Sequence, residues 1–410
     1  MMPRHVHVVG AGLAGLSAAL ALVEHGVGVT VHESGPAPGG RCRSYFDREL
    51  GCRIDNGNHL LLSGNRAAWA FLDRVGAQDT MGGPGAPVFP FMDLGTGERW
   101  TVRPSQGRVP WWLLSRRRRV PGARLSEFLS VLALRRAGPE ATVGAVLRRG
   151  ELYRRLLEPL AIAALNTPVE SASARLLGAV MAESLAAGGD ACVPVVPREG
   201  LSESFIDPAV TWLEARQTRV LTGRRVAALG VENGRVVRLG DHALAADDAV
   251  VLAVPAPVAA SLLPGLTVPD RFEAILNVHY KVDAEPGEAG FVGLVGGTAE
   301  WVFVKPGVVS VTISAANRLL DMPADALAAL VWAEVRAVLR LPEPMPPWRV
   351  VKEKRATFAA TPEQERRRPG VRVGIHNLAL AGDWTATGLP ATIEGAIRSG
   401  NTAAAAILSA

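Results

Sequence analysis

Three glycines, Gly10, Gly12 and Gly15, stand in the spacing G-x-G-x-x-G, and Glu33 follows them down the chain. Residues of these types in this order can hold a dinucleotide. Gly10 allows a tight turn, Gly12 lets the backbone approach a pyrophosphate, and Gly15 lets a helix pack close to a strand. An acid at the end of the next strand accepts hydrogen bonds from a ribose. The elements needed to position these residues surround them. His5 to Val9 reads as a buried strand, an alanine- and leucine-rich helix runs to about His25, Gly26 stops it, and Val27–His32 reads as a second strand. The start of that helix offers unpaired N–H groups and the positive end of its dipole to phosphates. A glycine turn alone is weak evidence; here the strand, the helix and the acid agree.

Two further stretches carry polar residues suited to chemistry. Asp55-Asn56-Gly57-Asn58-His59 precedes Leu60-Leu61-Leu62, and the buried strand Leu378–Ala381 ends at Gly382-Asp383-Trp384. Ligands of open α/β sheets sit beyond the carboxyl ends of the strands, which places Asp383 to meet a cofactor. Gly388-Leu389-Pro390 then opens a helix read as Ala391–Ile407, with Pro390 where its missing N–H costs nothing. No second G-x-G-x-x-G follows, so no separate NAD(P)H domain is visible.

The chain has 410 residues, enough for about two ordinary domains, and its 48% apolar and 20% charged residues are those of a soluble globular protein. The net charge of +5 is carried mostly by scattered arginines. No basic stretch interleaved with aromatics suggests nucleic-acid binding. Cys42, Cys52 and Cys192 are too few and too scattered for a disulfide framework or a zinc site, which fits a reducing cytoplasm. A core strand begins within the first few residues, leaving no room for a signal peptide. The longest apolar run, Ala249 to Leu263, is cut by Pro255 and Pro257 and would not span a bilayer.

Helices are expected at Leu125–Arg136, Glu151–Leu165, Leu201–Arg216 and Pro323–Leu339, and strands at Arg219–Thr222, Arg224–Leu229, Asp248–Val254, Gly290–Val295, Trp301–Val304 and Val308–Ser314. Glu232-Asn233-Gly234-Arg235 reads as a hairpin turn. Trp111-Trp112-Leu113-Leu114 beside Arg116–Arg119 has the pattern of an anchor on an anionic leaflet.

Gly39-Gly40-Arg41 adds a resemblance to the large flavoprotein family of monoamine oxidases and carotenoid desaturases, in which such a triplet sits against the flavin diphosphate. The C-terminal third narrows it. Residues 353–362 (EKRATFAATP) and 378–400 (LALAGDWTATGLPATIEGAIRSG) resemble bacterial hydroxysqualene dehydroxylases, long described as squalene-associated FAD-dependent desaturases. So do Asp55–Leu62, where the family usually has Gln in place of Asn58, and Trp301-Val302-Phe303 and Ser314-Ala315-Ala316. The likeness covers the whole chain, most loosely at about 80–190.

The resemblance implies an α/β fold: a Rossmann-like FAD domain at 1–80, 197–268 and 366–410, and an α+β substrate domain at 81–196 and 269–365. It implies FAD contacts at Gly10, Gly12, Leu13, Ala14, Gly15, Glu33, Ser34, Gly39, Gly40, Arg41, Gly57, Asn58, Val226, Gly382, Asp383, Pro390, Thr392, Ile393 and Glu394. The implied reaction, in hopanoid-precursor synthesis, replaces the hydroxyl of hydroxysqualene by hydrogen at the expense of reduced FAD, giving squalene. Water leaves more easily than hydroxide, so a general acid is expected; His59 and Asp55 are the candidates, with Glu394 behind them. A reductase or free reduced flavin would supply electrons, and the inner face of the plasma membrane would supply the polyisoprenoid. No metal is called for. An amine oxidase would usually carry an aromatic in the terminal motif, where this chain has Thr392. A phytoene-type desaturase shares the fold with opposite redox direction, and a prenyl-binding chaperone would have no need of both flavin motifs.

Overall fold

Two sheets carry the architecture of the computed structural model, which describes residues 3–107 and 109–409. The first is parallel and five-stranded, in the order Arg219–Leu221, Gly28–His32, His5–Val9, Asp248–Leu252, Leu378–Leu380. Asp248–Leu252 and Leu378–Leu380 are buried along their whole length because both faces are covered, whereas Gly28–His32 alternates between buried valines and more exposed neighbours. Val6 and Val8 enter a core with the helices Leu13–Glu24 and Ile393–Leu408. Val9, Val250 and Leu252 face the other way, toward Val236 and Leu239 of a three-stranded sheet, Leu229–Ala243.

The second sheet has seven strands, in the order Trp348–Phe358, Phe272–Tyr280, Val308–Ile313, Trp301–Lys305, Phe291–Val295, Phe89–Asp93, Arg99–Val102. Its pairs are antiparallel except where Phe291–Val295 meets Phe89–Asp93. Val278, Val302 and Val311 pack on the helix Ala324–Leu339, while Phe91, Phe291, Trp301 and Phe303 point toward the helical segment that includes Leu152, Leu165 and Leu176.

The differences from the sequence expectations have local causes. The expected strand Arg224–Leu229 is mostly irregular, with the strand confined to Leu229–Glu232. The Arg224 N–H bonds the Glu33 carbonyl (2.7 Å) and the Gly223 N–H that of Gly35 (2.8 Å), which turns the chain around the end of the second strand. The hairpin over 232–235 forms, with Asn233 and Gly234 both at positive φ. The helices over 151–165 and 201–214 each contain a π turn, at Tyr153–Leu157 and Ser202–Ile206. Pro159 and Pro208 follow these turns; a proline lacks the N–H that would continue an α-helical ladder, and the wider turn absorbs the mismatch. The last helix starts at Ile393, capped by Thr392, whose Oγ1 accepts the Gly395 N–H at 3.0 Å. Pro390 therefore stands ahead of the cap and not at the first helical position, because a threonine side chain can satisfy an end N–H and a proline ring cannot.

Candidate cofactor and active site

The glycine turn is built as its spacing requires. Gly10 has φ +107°, and a Cβ on Gly15 would lie 1.9 Å from the Gly10 carbonyl oxygen. A Cβ on Gly12 would meet nothing within 4 Å, so this backbone faces open space. The helix that begins at Leu13 has no side-chain cap and no acid in its first turn. The N–H groups of Leu13, Ala14 and Gly15 are therefore left for an anion. Gly39 donates to the Ala11 carbonyl (2.8 Å), and the Gly12 Cα lies 3.7 Å from where a Cβ on Gly40 would be. Glu33 is held within the same turn: Oε2 accepts from Ala11 N (2.9 Å), and Oε1 from Gly35 N (2.7 Å) and Ser34 Oγ (3.3 Å). Oε2, with one donor, keeps a lone-pair direction for a hydroxyl. The 223–226 stretch, with half-buried Val226, runs beside Glu33–Gly35.

Arg41 joins the two ends of the chain. Its guanidinium donates to Asp383 Oδ1 (2.7 Å) and to the Ala356 carbonyl (2.5 Å). The side chain keeps 43% of its accessible surface even with both bonds made, so one side of it stays open. Gly382 is fixed by donation from its N–H to Ser399 Oγ (2.8 Å), and Trp384 by donation to the Val254 carbonyl (2.9 Å). An uncapped helix start, an open glycine backbone and a partly accessible arginine together fit the diphosphate of a dinucleotide.

The loop 55–59 is set from the other sheet. Asn58 Nδ2 donates to Thr312 Oγ1 (3.0 Å), which donates to Asn277 Oδ1 (2.8 Å). Asn277 Nδ2 in turn donates to the Asn56 carbonyl, and Asn56 Nδ2 reaches Glu353 Oε2, both at 3.3 Å. His59 Nδ1 lies 3.1 Å from the Gly57 carbonyl, which fixes that nitrogen as the donor and leaves Nε2 free to exchange a proton. Burial lowers the pKa of His59, opposed by the Gly57 carbonyl and by Asp55. The nearby His279 bonds Ser310 Oγ through Nδ1 (2.7 Å), and burial takes its pKa down to about 4.

Asp55 does not match its expected role as a proton donor. It accepts from Ser44 Oγ (2.7 Å), Leu201 N (2.8 Å) and Lys305 Nζ (2.7 Å). Burial pushes its pKa up, but Lys305 and these hydrogen bonds outweigh burial, and the net shift is downward. It is an ionised, fully engaged carboxylate tying three segments together. Glu394 is likewise structural: it accepts from the Ala67 and Ala68 N–H groups (3.0 and 2.8 Å) at the start of the helix Arg66–Arg74, and from Arg398 Nε (2.8 Å). With Thr392 capping the last helix and Ile393 in the apolar core, the side chains of 392–394 are committed to packing and capping.

Lys305, Asn277 and Thr312 were not singled out in the sequence. A polar Asn277 inside the apolar strand Phe272–Tyr280 was the readable signal; nothing local marked Lys305 as the partner of Asp55. Among the described residues, no group of His, Cys, Asp and Glu could hold a metal ion.

On this fold the cradle defines an FAD-dependent oxidoreductase: the sequence pattern of the flavin containing amine oxidoreductase family matches residues 13–282 and 301–408. Solved structures agree on the fold. Cyclohexylamine oxidase from Brevibacterium oxydans superposes with a TM-score of 0.72 at 17% identity, over 99% of both chains. Two relatives match from end to end. The hydroxysqualene dehydroxylases of Sinorhizobium fredii and Rhodopseudomonas palustris are each 46% identical over 100% of this chain and 99% of their own. The chain belongs to the flavin containing amine oxidoreductase family and, within it, to the hydroxysqualene dehydroxylases.

Proposed function

We propose that this protein removes the hydroxyl of hydroxysqualene and delivers squalene, using FAD. The observation that carries the reading is the 46% identity to hydroxysqualene dehydroxylases along the full chain. FAD would be held at its diphosphate by the 12–15 turn with Gly39 and Gly40, and at its ribose by Glu33; Arg41 and Asp383 would close the cleft around it. When bound and reduced, FAD supplies the hydride that replaces the hydroxyl. The protein must supply a proton, so that water leaves instead of hydroxide.

His59 Nε2 is the atom we assign to that proton. The Gly57 carbonyl holds the ring by Nδ1, so protonation at Nε2 gives an imidazolium aimed away from its own backbone. Burial disfavours that cation, which makes it a stronger acid once formed. Asp55 stabilises the loop through Lys305 and takes no proton. The Asn58–Thr312–Asn277 chain of hydrogen bonds keeps the loop in register with the second sheet. The electron donor is a reductase or free reduced flavin, and the apolar substrate arrives from a membrane surface.

The test is product analysis. Holoenzyme reduced under anaerobic conditions should convert hydroxysqualene to squalene. Unchanged hydroxysqualene, together with desaturation of phytoene by the oxidised enzyme, would replace this reading with that of a desaturase.

A further inference from the structure

Large apolar side chains are exposed unevenly over this molecule. Val109, Trp111, Leu114, Leu125, Leu129 and Leu132 are all between 48% and 68% exposed, and all fall within one short segment. Leu125, Leu129 and Leu132 lie on one face of the helix Leu125–Ala133. The same helix turns Phe128, Val131 and Ser130 inward. It is therefore apolar on two sides, and only one side has a protein partner; a helix apolar all round is ordinarily buried. Trp111 and Leu114 stand on the neighbouring 3-10 turn, Trp111–Leu114. That turn is pinned to the helix by Trp112, which is buried edge-on against Phe128 with ring centres 5.6 Å apart. Of the two tryptophans in the anchor pattern, only Trp111 is outside.

Charge selects what covers this face. Residues 109–136 contain seven arginines and one acid, Glu127. Glu127 is already engaged, accepting from the N–H groups of Arg124 (3.1 Å) and Leu152 (2.8 Å). Arg116, Arg117 and Arg118 are exposed beside the apolar face, whereas Arg119 donates to the Leu113 carbonyl (3.1 Å) and belongs to the turn. A second copy of the chain packed symmetrically here would bring arginines against arginines. An apolar face rimmed by exposed arginines, with no ion-pair partner among the described residues, is complementary to a layer with an apolar interior and anionic headgroups.

We propose that the segment 109–136 is a monotopic docking surface for an anionic lipid bilayer, with Trp111, Leu114, Leu129 and Leu132 entering the acyl boundary and Arg116–Arg118 lying on the phosphates. No helix among the described residues is long and apolar enough to cross a membrane, so attachment here is from one side. The proposal rests on the functional reading in one respect: a long hydrocarbon substrate gives the contact a purpose.

The experiment is sedimentation of holoenzyme with vesicles of phosphatidylcholine alone or phosphatidylcholine mixed with phosphatidylglycerol. The wild type should sediment with the mixed vesicles and be released as salt rises. Changing Trp111, Leu114, Leu129 and Leu132 together to Ser should weaken binding about tenfold or more. Changing Arg116, Arg117 and Arg118 to Gln should remove most of the salt dependence and the preference for phosphatidylglycerol. Both variants should keep their FAD and their turnover of detergent-dispersed hydroxysqualene, which separates docking from chemistry. Wild-type holoenzyme that stays in the supernatant with every vesicle overturns the proposal, as do variants that bind like the wild type. A wild-type oligomer that the serine variant dissociates, without vesicle binding by either, also overturns it and makes the face a contact between copies. Vesicle binding as expected, without turnover in detergent, would leave docking standing and remove the proposed reaction.

Discussion

The turn at 10–41 and the loop at 55–59 both border the proposed flavin cleft, yet they are held in opposite ways. In the turn, Arg41 apart, which reaches Ala356 and Asp383, the side-chain and glycine partners lie near in sequence. Glu33 bonds Ala11 and Gly35, and Gly39 bonds Ala11. In the loop, Asp55 is held by Leu201 and Lys305, Asn58 by Thr312, and Asn56 by Glu353. A site made from neighbours can be read from spacing, because glycine geometry and helix-end chemistry are local rules. A site made across two sheets cannot, because a carboxylate looks the same in sequence whether it will meet a proton acceptor or a buried lysine. Asp55 and His59, four residues apart in one motif, therefore separate only in the structure: one is fully bonded and ionised, the other keeps a free nitrogen.

The sharpest way to break the local half of this contrast is Gly15→Val. Its Cβ would fall 1.9 Å from a backbone oxygen that has no room to move, so loss of FAD and of the folded N-terminal unit is expected, read by absorbance and thermal melting. Gly12→Ala is the control: with nothing within 4 Å it should fold normally and lose only FAD affinity.

Asp55→Asn probes the long-range half. Lys305 would keep its charge without a partner, so stability should fall by about 3 kcal/mol, the low end for a broken buried pair because Lys305 is partly exposed. The pH dependence has a definite sign. The folded pKa of Asp55 lies below its ordinary 3.8, so its stabilisation is complete above that value and is lost as pH falls through the folded pKa. Urea titrations between neutral pH and pH 3 should show that loss in the wild type and lack it in the variant.

A smaller effect is expected from Glu33→Ala. It removes charge-assisted bonds worth roughly 1.5–3 kcal/mol, or about ten- to a hundredfold in FAD affinity. Ultrafiltration of the released cofactor would read it, and unchanged retention would mean that the backbone of the turn suffices.

Much of the framework was legible in advance. The strands His5–Val9 and Leu378–Leu380, the first helix and the hairpin at 232–235 follow from apolar runs, glycine stops and turn chemistry. The start of the last helix was misjudged because Pro390 and Thr392 both signal helix beginnings, and only the capping hydrogen bond decides between them. The partners of the Glu394 side chain are not legible in spacing either: it caps a helix more than three hundred residues earlier in the chain. The double-faced helix Leu125–Ala133 was expected as a helix, but periodicity alone did not reveal that its second apolar face has no protein partner.

One measurement bears most directly on the contrast between the two loop residues: single turnover of anaerobically reduced holoenzyme on hydroxysqualene, per bound FAD, for the wild type, His59→Gln and Asp55→Asn. If His59 Nε2 carries the proton, His59→Gln should keep FAD and slow turnover by about 10²–10⁴-fold. The wild-type rate should rise as pH falls toward the lowered pKa of His59, since the protonated fraction grows in that direction. Asp55→Asn, counted per folded, FAD-loaded molecule, should stay within a few-fold of wild type and keep that pH profile. A His59→Gln enzyme as fast as wild type, beside an Asp55→Asn enzyme that is folded, loaded and inert, would reverse the two roles and contradict the assignment.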